Sequence, residues 1–351
     1  LEAAKMESSG AKILFLAEVT DRERELRIEQ EKWGGPTSEI EFACYQSAYK
    51  WVGKKYDLVI ADEIHDSLTK EYSKFYANNQ VKHIIGLSAT VDAHAEVETE
   101  DPDEYFTKGE LLKEIAPVCF TYGLDEGQKD GTSRKLDVYV INHKLDMHNK
   151  NIEAGNAKKR FYQTEWGAYN YKDAQFRKAL FAPDAIRQFR IRVTSAARAK
   201  LLYNLPSKVK AVKELVEGLT GRTIIFGNSL EALERVTPDV ISSRNTDKIN
   251  EQIRNDFEDK KLNLIAAFKK LKQGANLSDL DNCVIMSYYS KEKDLIQRIG
   301  RLRDNGEIGR IFIFVTFGSQ EVKWFDSMFE NVDSLNMINC NGVADCLKKL
   351  S

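Results

Sequence analysis

Asp62, Glu63 and His65 follow directly behind the apolar run Leu58 to Ala61 in YDLVIADEIHDS. Two adjacent carboxylates suit a hydrated divalent cation, because Mg²⁺ prefers oxygen donors and gives up its water reluctantly. Asp62 is the expected metal holder, through retained water, and Glu63 the base that deprotonates an attacking water. Ser88 and Thr90 close HIIGLSAT, with Ser88 standing 26 residues after Asp62. Far downstream, QRIGRLR carries Gln297, Arg301 and Arg303. Guanidinium groups stay charged and fork onto phosphate oxygens, so carboxylates on one wall and arginines on the other suit hydrolysis of a metal-bound nucleotide.

Positioning these groups is a task for strands. A continuous apolar run bounded by polar residues reads as a strand covered on both faces, and ligands sit beyond the carboxyl ends of such strands. AKILFLAE, IEFACY, DLVIA, HIIGLSA and APVCFTY alternate with helical stretches in the first third, and RTIIFG, LNLIAA, NCVIMSYY and RIFIFVTF do so from about residue 220. That alternation predicts an α/β chain with mostly parallel sheets in two similar halves. The boundary is expected near residue 146, after the strand-like RKLDVYVINHKLD. Residues 1–146 form the first domain, 147–204 a helical insertion and 205–351 the second domain, with Pro206 opening a helix. The acidic run EVETEDPDE is expected to loop into solvent.

With 351 residues, two domains are expected; 30% charged and 42% hydrophobic residues describe a soluble globular protein. No long apolar span or signal-peptide pattern is present, which points to the cytoplasm. A net charge of −2 excludes a wholly basic nucleic-acid wrapper yet leaves room for local basic patches. The odd set Cys44, Cys119, Cys283, Cys340 and Cys346 contains no CxxC pair and suits reduced thiols. LEAAKMESSG is helix-prone from Leu1 without a capping residue before it, so the start reads as cut.

DEIH, then SAT, then QRIGRLR resembles the DExH-box helicases and translocases of superfamily two, particularly compact restriction-subunit and phage-type members. The resemblance spans nearly the whole chain: AEVTDRE and CYQS stand where the first two strand-binding motifs would be, and IIFGNSLEAL opens the second core domain. LKQGANL and QRIGRLR resemble the last two motifs. It implies two RecA-like domains joined by the helical insertion, ATP and Mg²⁺ as cofactors, and nucleic acid as partner, DNA rather than RNA. Asp62 and Glu63 become the Walker B acids, and Gln297, Arg301 and Arg303 contact the nucleotide. His65, Ser88, Thr90, Gly274 and Asn276 couple hydrolysis to strand movement. Thr20, Arg22, Gln46, Ser47, Asn228 and Ser229 are the implied nucleic-acid contacts.

Three departures accompany the resemblance. No G-x-x-x-x-G-K-[ST] occurs: Gly53-Lys54 is followed by Lys55, and position 48 is Ala. The helical start leading into AKILFL matches the segment just after such a phosphate loop, so a loop upstream is expected, and these residues alone should bind ATP poorly. Asn276 stands where many relatives carry aspartate. The spacing after Gly300 is one residue short, so either Arg301 or Arg303 is the arginine finger. Two rival functions follow: a non-catalytic nucleic-acid-binding helicase remnant, and a double-strand DNA translocase working with a nuclease partner. Replication or recombination proteins are further partner candidates, and a membrane is not.

Several residues carry two readings at this stage. Asp62 and Glu63 also suit the start of a helix. Arg187, Arg190 and Arg198 lie within about 80° on a helix, as a strand-tracking stripe or a solvated face. Lys158, Lys159, Arg160, Phe161 and Tyr162 read either as a stacking platform or as a helix with its apolar side buried. Trp166, Tyr169 and Tyr171 read first as core.

Overall fold

The computed structural model describes residues 11–18, 21–32, 40–88, 97, 107–122, 126–127, 130, 135–156, 159–268, 280–288, 308–329 and 335–350. They fall into two compact units, Leu1–Thr121 and Tyr122–Ser351.

The apolar runs of the first unit become β1 (Ile13–Ala17), β2 (Ile40–Cys44), β3 (Lys55–Asp62) and β4 (Gln80–Leu87). They pair in the order β2-β1-β3-β4, every pair parallel. Alternate residues separate onto two faces, as the pleat requires. Leu14, Leu16, Val59 and Ala61 pack with Ile64, Leu68, Phe75 and Leu112 on one side, while Ile13, Phe15 and Leu58 pack on the other. Among the described residues β4 has a single partner, β3, and its Ile85 and Leu87 are each 47% exposed. APVCFTY does not form the expected strand: residues 117–122 are irregular, with Val118 and Phe120 exposed. A strand needs an edge to pair with, and apolar composition supplies none.

The second unit holds a seven-stranded sheet and a hairpin, reached in chain order through β5 (Leu136–His143), β6 (Ile152–Asn156) and β7 (Lys159–Gln163). Then come β8 (Thr223–Gly227), β9 (Val240–Ile241), β10 (Leu264–Phe268), β11 (Asn282–Ile285), β12 (Gly309–Thr316) and β13 (Asn336–Cys340). The sheet order is β13-β5-β12-β11-β8-β10-β9, all parallel. The expected fold class, α/β with mostly parallel sheets, is the observed one.

The division of the chain differs from the expectation. β5 lies before residue 146, yet it pairs with β12 and β13 and belongs to the second sheet. Residues 147–204 are also not wholly helical, since β6 and β7 form an antiparallel hairpin ahead of helices Glu165–Leu180 and Asp184–Tyr203. Nor is the pair of helices a detached insertion: Ala168, Tyr169, Ala199, Leu202 and Tyr203 join Val138, Ile224, Ile265 and Ile311 in one face of the second core. The opposite face packs Tyr139, Ile225, Ala266 and Phe312 against helices Pro206–Gly218 and Val343–Leu350. Pro206 opens its helix as expected, because the missing N–H costs nothing in the first turn.

Buried polar groups tie these layers together. Lys208 and Glu321 are fully buried and paired at 2.7 and 2.8 Å. Glu165, also fully buried, accepts from the Ser207 amide and hydroxyl and from the Asp146 amide. None of the five cysteines is in a disulfide; four are buried and Cys119 is exposed. No helix among the described residues is long and apolar enough to cross a membrane.

Candidate functional site

β3 ends at Asp62, and the chain then turns sharply. Glu63 takes a left-handed conformation, φ 50° and ψ 51°, and a single 3₁₀ turn follows over Ile64–Asp66. A non-glycine residue in that region costs of order 1 kcal/mol or more, and such strain collects at functional sites. Asp62 and Glu63 therefore terminate a strand rather than cap an α-helix, which removes the capping explanation.

Ile64 points back into the core, where β4 accommodates it through Gly86: a Cβ there would stand 2.6 Å from Ile64 Cδ1. The glycine within IIGLSAT is the sequence signal for this close approach, although the motif reading passes over it. Holding Ile64 down brings His65, 5% exposed, against the end of β4. His65 Nδ1 lies 2.7 Å from Ser88 Oγ, so the two motifs meet through a side-chain hydrogen bond. The same nitrogen is 3.1 Å from Glu63 Oε2, and Nε2 is 3.1 Å from Asp66 Oδ1. Sequence spacing also misses two supports. Tyr45 donates its hydroxyl to the Asp62 carbonyl at 2.9 Å, and Lys108 donates to the His65 carbonyl at 3.2 Å. Lys108 opens a helix fixed by a capping box between Thr107 and Glu110. Burial of Tyr45, then the nearby Tyr76, Asp62 and Asp66, holds its phenol protonated far above the usual range.

Gln46 and Ser47 are exposed in the short helix at the carboxyl end of β2, and Ser47 donates to the Cys44 carbonyl. The carboxyl edge of the first sheet thus gathers Gln46, Ser47, Asp62, Glu63, His65 and Ser88. Arg22 falls in the first turn of helix Asp21–Lys32. In the second unit Asn228 follows β8, its amide donating to Ser287 Oγ. Ser229 is buried; its hydroxyl caps helix Leu230–Glu234 and donates to Asn204 Oδ1, so it is committed within the unit. Thr20, Thr90, Gly274, Asn276, Gln297, Arg301 and Arg303 lie outside the described residues, as do Lys158 and nearly all of the acidic run.

Among the described residues no three His, Cys, Asp or Glu converge on a metal position. Mg²⁺ does not need three: it keeps several waters and takes one or two carboxylates together with phosphate oxygens. Glu63 Oε2 is buried without a well-formed hydrogen bond among the described residues, an acceptor that a cation-held water would satisfy. The residue types at this strand end, two adjacent carboxylates, are of the kind that a hydrated Mg²⁺ takes.

Three residues change reading on the second unit. Arg198 is buried, paired with Asp173 at 2.5 Å and stacked 4.0 Å over the Phe176 ring, so it leaves the proposed stripe. Tyr169 is core and accepts from the Gln320 amide, whereas Trp166 and Tyr171 are 50% and 62% exposed. The expectation that all three are core holds for one.

The helicase conserved C-terminal domain family matches residues 207–306. No curated protein sequence matches significantly. Among solved structures, Dbp5 of S. cerevisiae bound to RNA and ADP BeF3 is 12% identical with a TM-score of 0.59, over 98% of this chain and 82% of that one. The Hef helicase domain of Pyrococcus furiosus is 12% identical at 0.53, over 93% and 90%. The type ISP restriction-modification enzyme LlaBIII bound to DNA is 13% identical at 0.55, over 97% of this chain and 28% of that enzyme. Residues 207–306 thus resemble a helicase conserved C-terminal domain, and the chain shares the mostly parallel α/β fold of these solved structures.

Proposed function

We propose that this protein is an ATP-dependent nucleic-acid helicase or translocase of the DExH-box kind, acting on DNA. The observation that carries the reading is the 2.7 Å hydrogen bond from His65 to Ser88. It joins the strand end bearing two carboxylates to the end of the neighbouring strand, so a change at one is felt at the other. Strain at Glu63 and its buried, poorly satisfied Oε2 add support.

In this reading Asp62 holds hydrated Mg²⁺, which when bound neutralises phosphate oxygens. Glu63 accepts the proton of the attacking water. Gln297, Arg301 and Arg303 contact the triphosphate, and one of the two arginines stabilises charge on the transferring group. His65, Ser88, Thr90, Gly274 and Asn276 relay the nucleotide state to the strand contacts Thr20, Arg22, Gln46, Ser47 and Asn228. Contacts of this type go to phosphate and sugar and are largely independent of sequence.

The test is ATP hydrolysis by the full-length protein, with and without single-stranded DNA, duplex DNA and RNA. Glu63→Gln is expected to lower turnover by about 10² to 10⁴-fold, as loss of a general base does. Equal turnover by both proteins removes Glu63 from the chemistry, and no turnover by either leaves a binding scaffold.

A further inference from the structure

The arm formed by the β6–β7 hairpin and the two following helices has an unusual surface. Residues 147–204 hold twelve Lys and Arg against four Asp and Glu, a surplus of eight in a chain whose net charge is −2. The four acids do not offset that field freely. Glu165 is buried on backbone amides, Asp173 is paired with Arg177 and Arg198, Glu153 with Arg160, and Asp184 with Arg187. Arg190 and Arg192 are exposed and have no acidic partner among the described residues.

Aromatic rings stand within this positive field. Phe161 and Tyr162 of β7 are 49% and 59% exposed. Successive strand residues point to opposite faces, so each face of the two-stranded ribbon carries one ring. Lys159 shares the face of Phe161, and Arg160 that of Tyr162. Opposite Phe161 is Ala154, and opposite Arg160 is Gly155, whose φ of +102° and crowding against the Lys159 carbonyl require glycine. Ala154 leaves the Phe161 ring uncovered, and Tyr162 stands opposite Glu153, whose carboxylate is paired with Arg160 on the same face. An isolated two-stranded ribbon is marginal in water, and this one is held at its base, where Ile152 packs on the second core.

We propose that the β6–β7 hairpin is a stacking platform for single-stranded nucleic acid, with bases on Phe161 and Tyr162 and the sugar-phosphate backbone following the cations of the arm. The inference rests on the nucleic-acid-dependent function proposed above and adds a contact outside the helicase motifs. Exposed aromatic rings between cations match what a single strand presents, a π-face on every base and a charge on every phosphate. A basic protein partner would meet the same surplus charge as a repulsion.

The test uses the full chain and a short single strand containing 2-aminopurine, whose fluorescence falls on stacking. The wild type is expected to quench the probe and to bind more weakly as salt is raised. Phe161→Ala/Tyr162→Ala, at exposed positions and checked for unchanged circular dichroism, is expected to lose the quenching and about tenfold or more in affinity. Arg190→Ala/Arg192→Ala should weaken binding and flatten its salt dependence while quenching persists at saturation. Wild-type binding that the aromatic variant retains with full quenching overturns the platform and leaves the helicase reading standing, with the arm then a protein-docking surface. Absence of any single-strand binding by the wild type overturns the platform as well. Conversely, intact stacking alongside equal ATP turnover by Glu63→Gln defeats the motor chemistry and spares the platform.

Discussion

Acidification should destabilise the second unit through His143 before its carboxylates respond. His143 closes β5, is 7% exposed and lies between Thr316 Oγ1 at 3.2 Å and Ser207 Oγ at 2.9 Å. Ser207 gives its proton to Glu165 at 2.5 Å, so its oxygen can only accept from His143. The network therefore assigns the proton to Nε2, with Nδ1 accepting from Thr316, and both nitrogens are satisfied in the neutral ring. Burial, then the charge of Lys208, pushes the pKa from 6.5 down to about 3. Above pH 6.5 neither state holds the proton and stability is complete. Below it the unfolded chain takes up a proton that the folded unit refuses, so stability falls as pH drops towards about 3. Each pH unit well below the unfolded value costs about 1.4 kcal/mol, so going from about pH 6.5 to about pH 4.5 removes on the order of 2 kcal/mol, a large share of a typical 5–15 kcal/mol. Asp146, Asp173, Asp256 and Asp345, all shifted down from 3.8, add their losses mainly below that window. Native-state hydrogen exchange of the β5 and β12 amides, corrected for the intrinsic rate at each pH, reports this unit alone. His143→Gln should be less stable at neutral pH but nearly flat across the window. An equal fall in wild type and variant refutes the reasoning.

Two further perturbations probe buried contacts. Lys208→Met strands the Glu321 carboxylate, fully buried and left with the Thr316 amide as its remaining donor among the described contacts, and is expected to cost about 3–5 kcal/mol in urea denaturation. Lys208→Met/Glu321→Met should recover most of that loss, and a single variant of near wild-type stability would show that the pair is not desolvated. Gly86→Ala places a methyl 2.6 Å from Ile64 Cδ1 and should destabilise the first unit by about 1–3 kcal/mol in thermal denaturation. Ile64→Val in the same chain should restore part of that loss; an unchanged midpoint for Gly86→Ala alone would mean that the turn after β3 does not depend on this contact.

Much of the architecture was legible in the sequence because its cause is local. Apolar runs such as ILFLA, DLVIA, TIIFG and RIFIFVT are strands covered on both faces, and Pro206 marks a helix start through chemistry confined to one turn. That Asp62 and Ser88 stand at strand carboxyl ends was legible too, since each follows an apolar run. Other features were decided only by the tertiary structure. β5 reads as a strand from its own residues, yet nothing local says that it pairs with β12, whose Thr316 meets His143 across 173 positions. Arg198 and Arg190 look alike on a helical projection; packing against Asp173 and Phe176 buries one and leaves the other in solvent. Phe161 and Tyr162 on the hairpin, and Trp166 in the first turn of the following helix, carry the composition of a core yet stand exposed. Periodicity encodes which residues share a face, whereas what covers that face is chosen by distant segments competing for the same apolar surface.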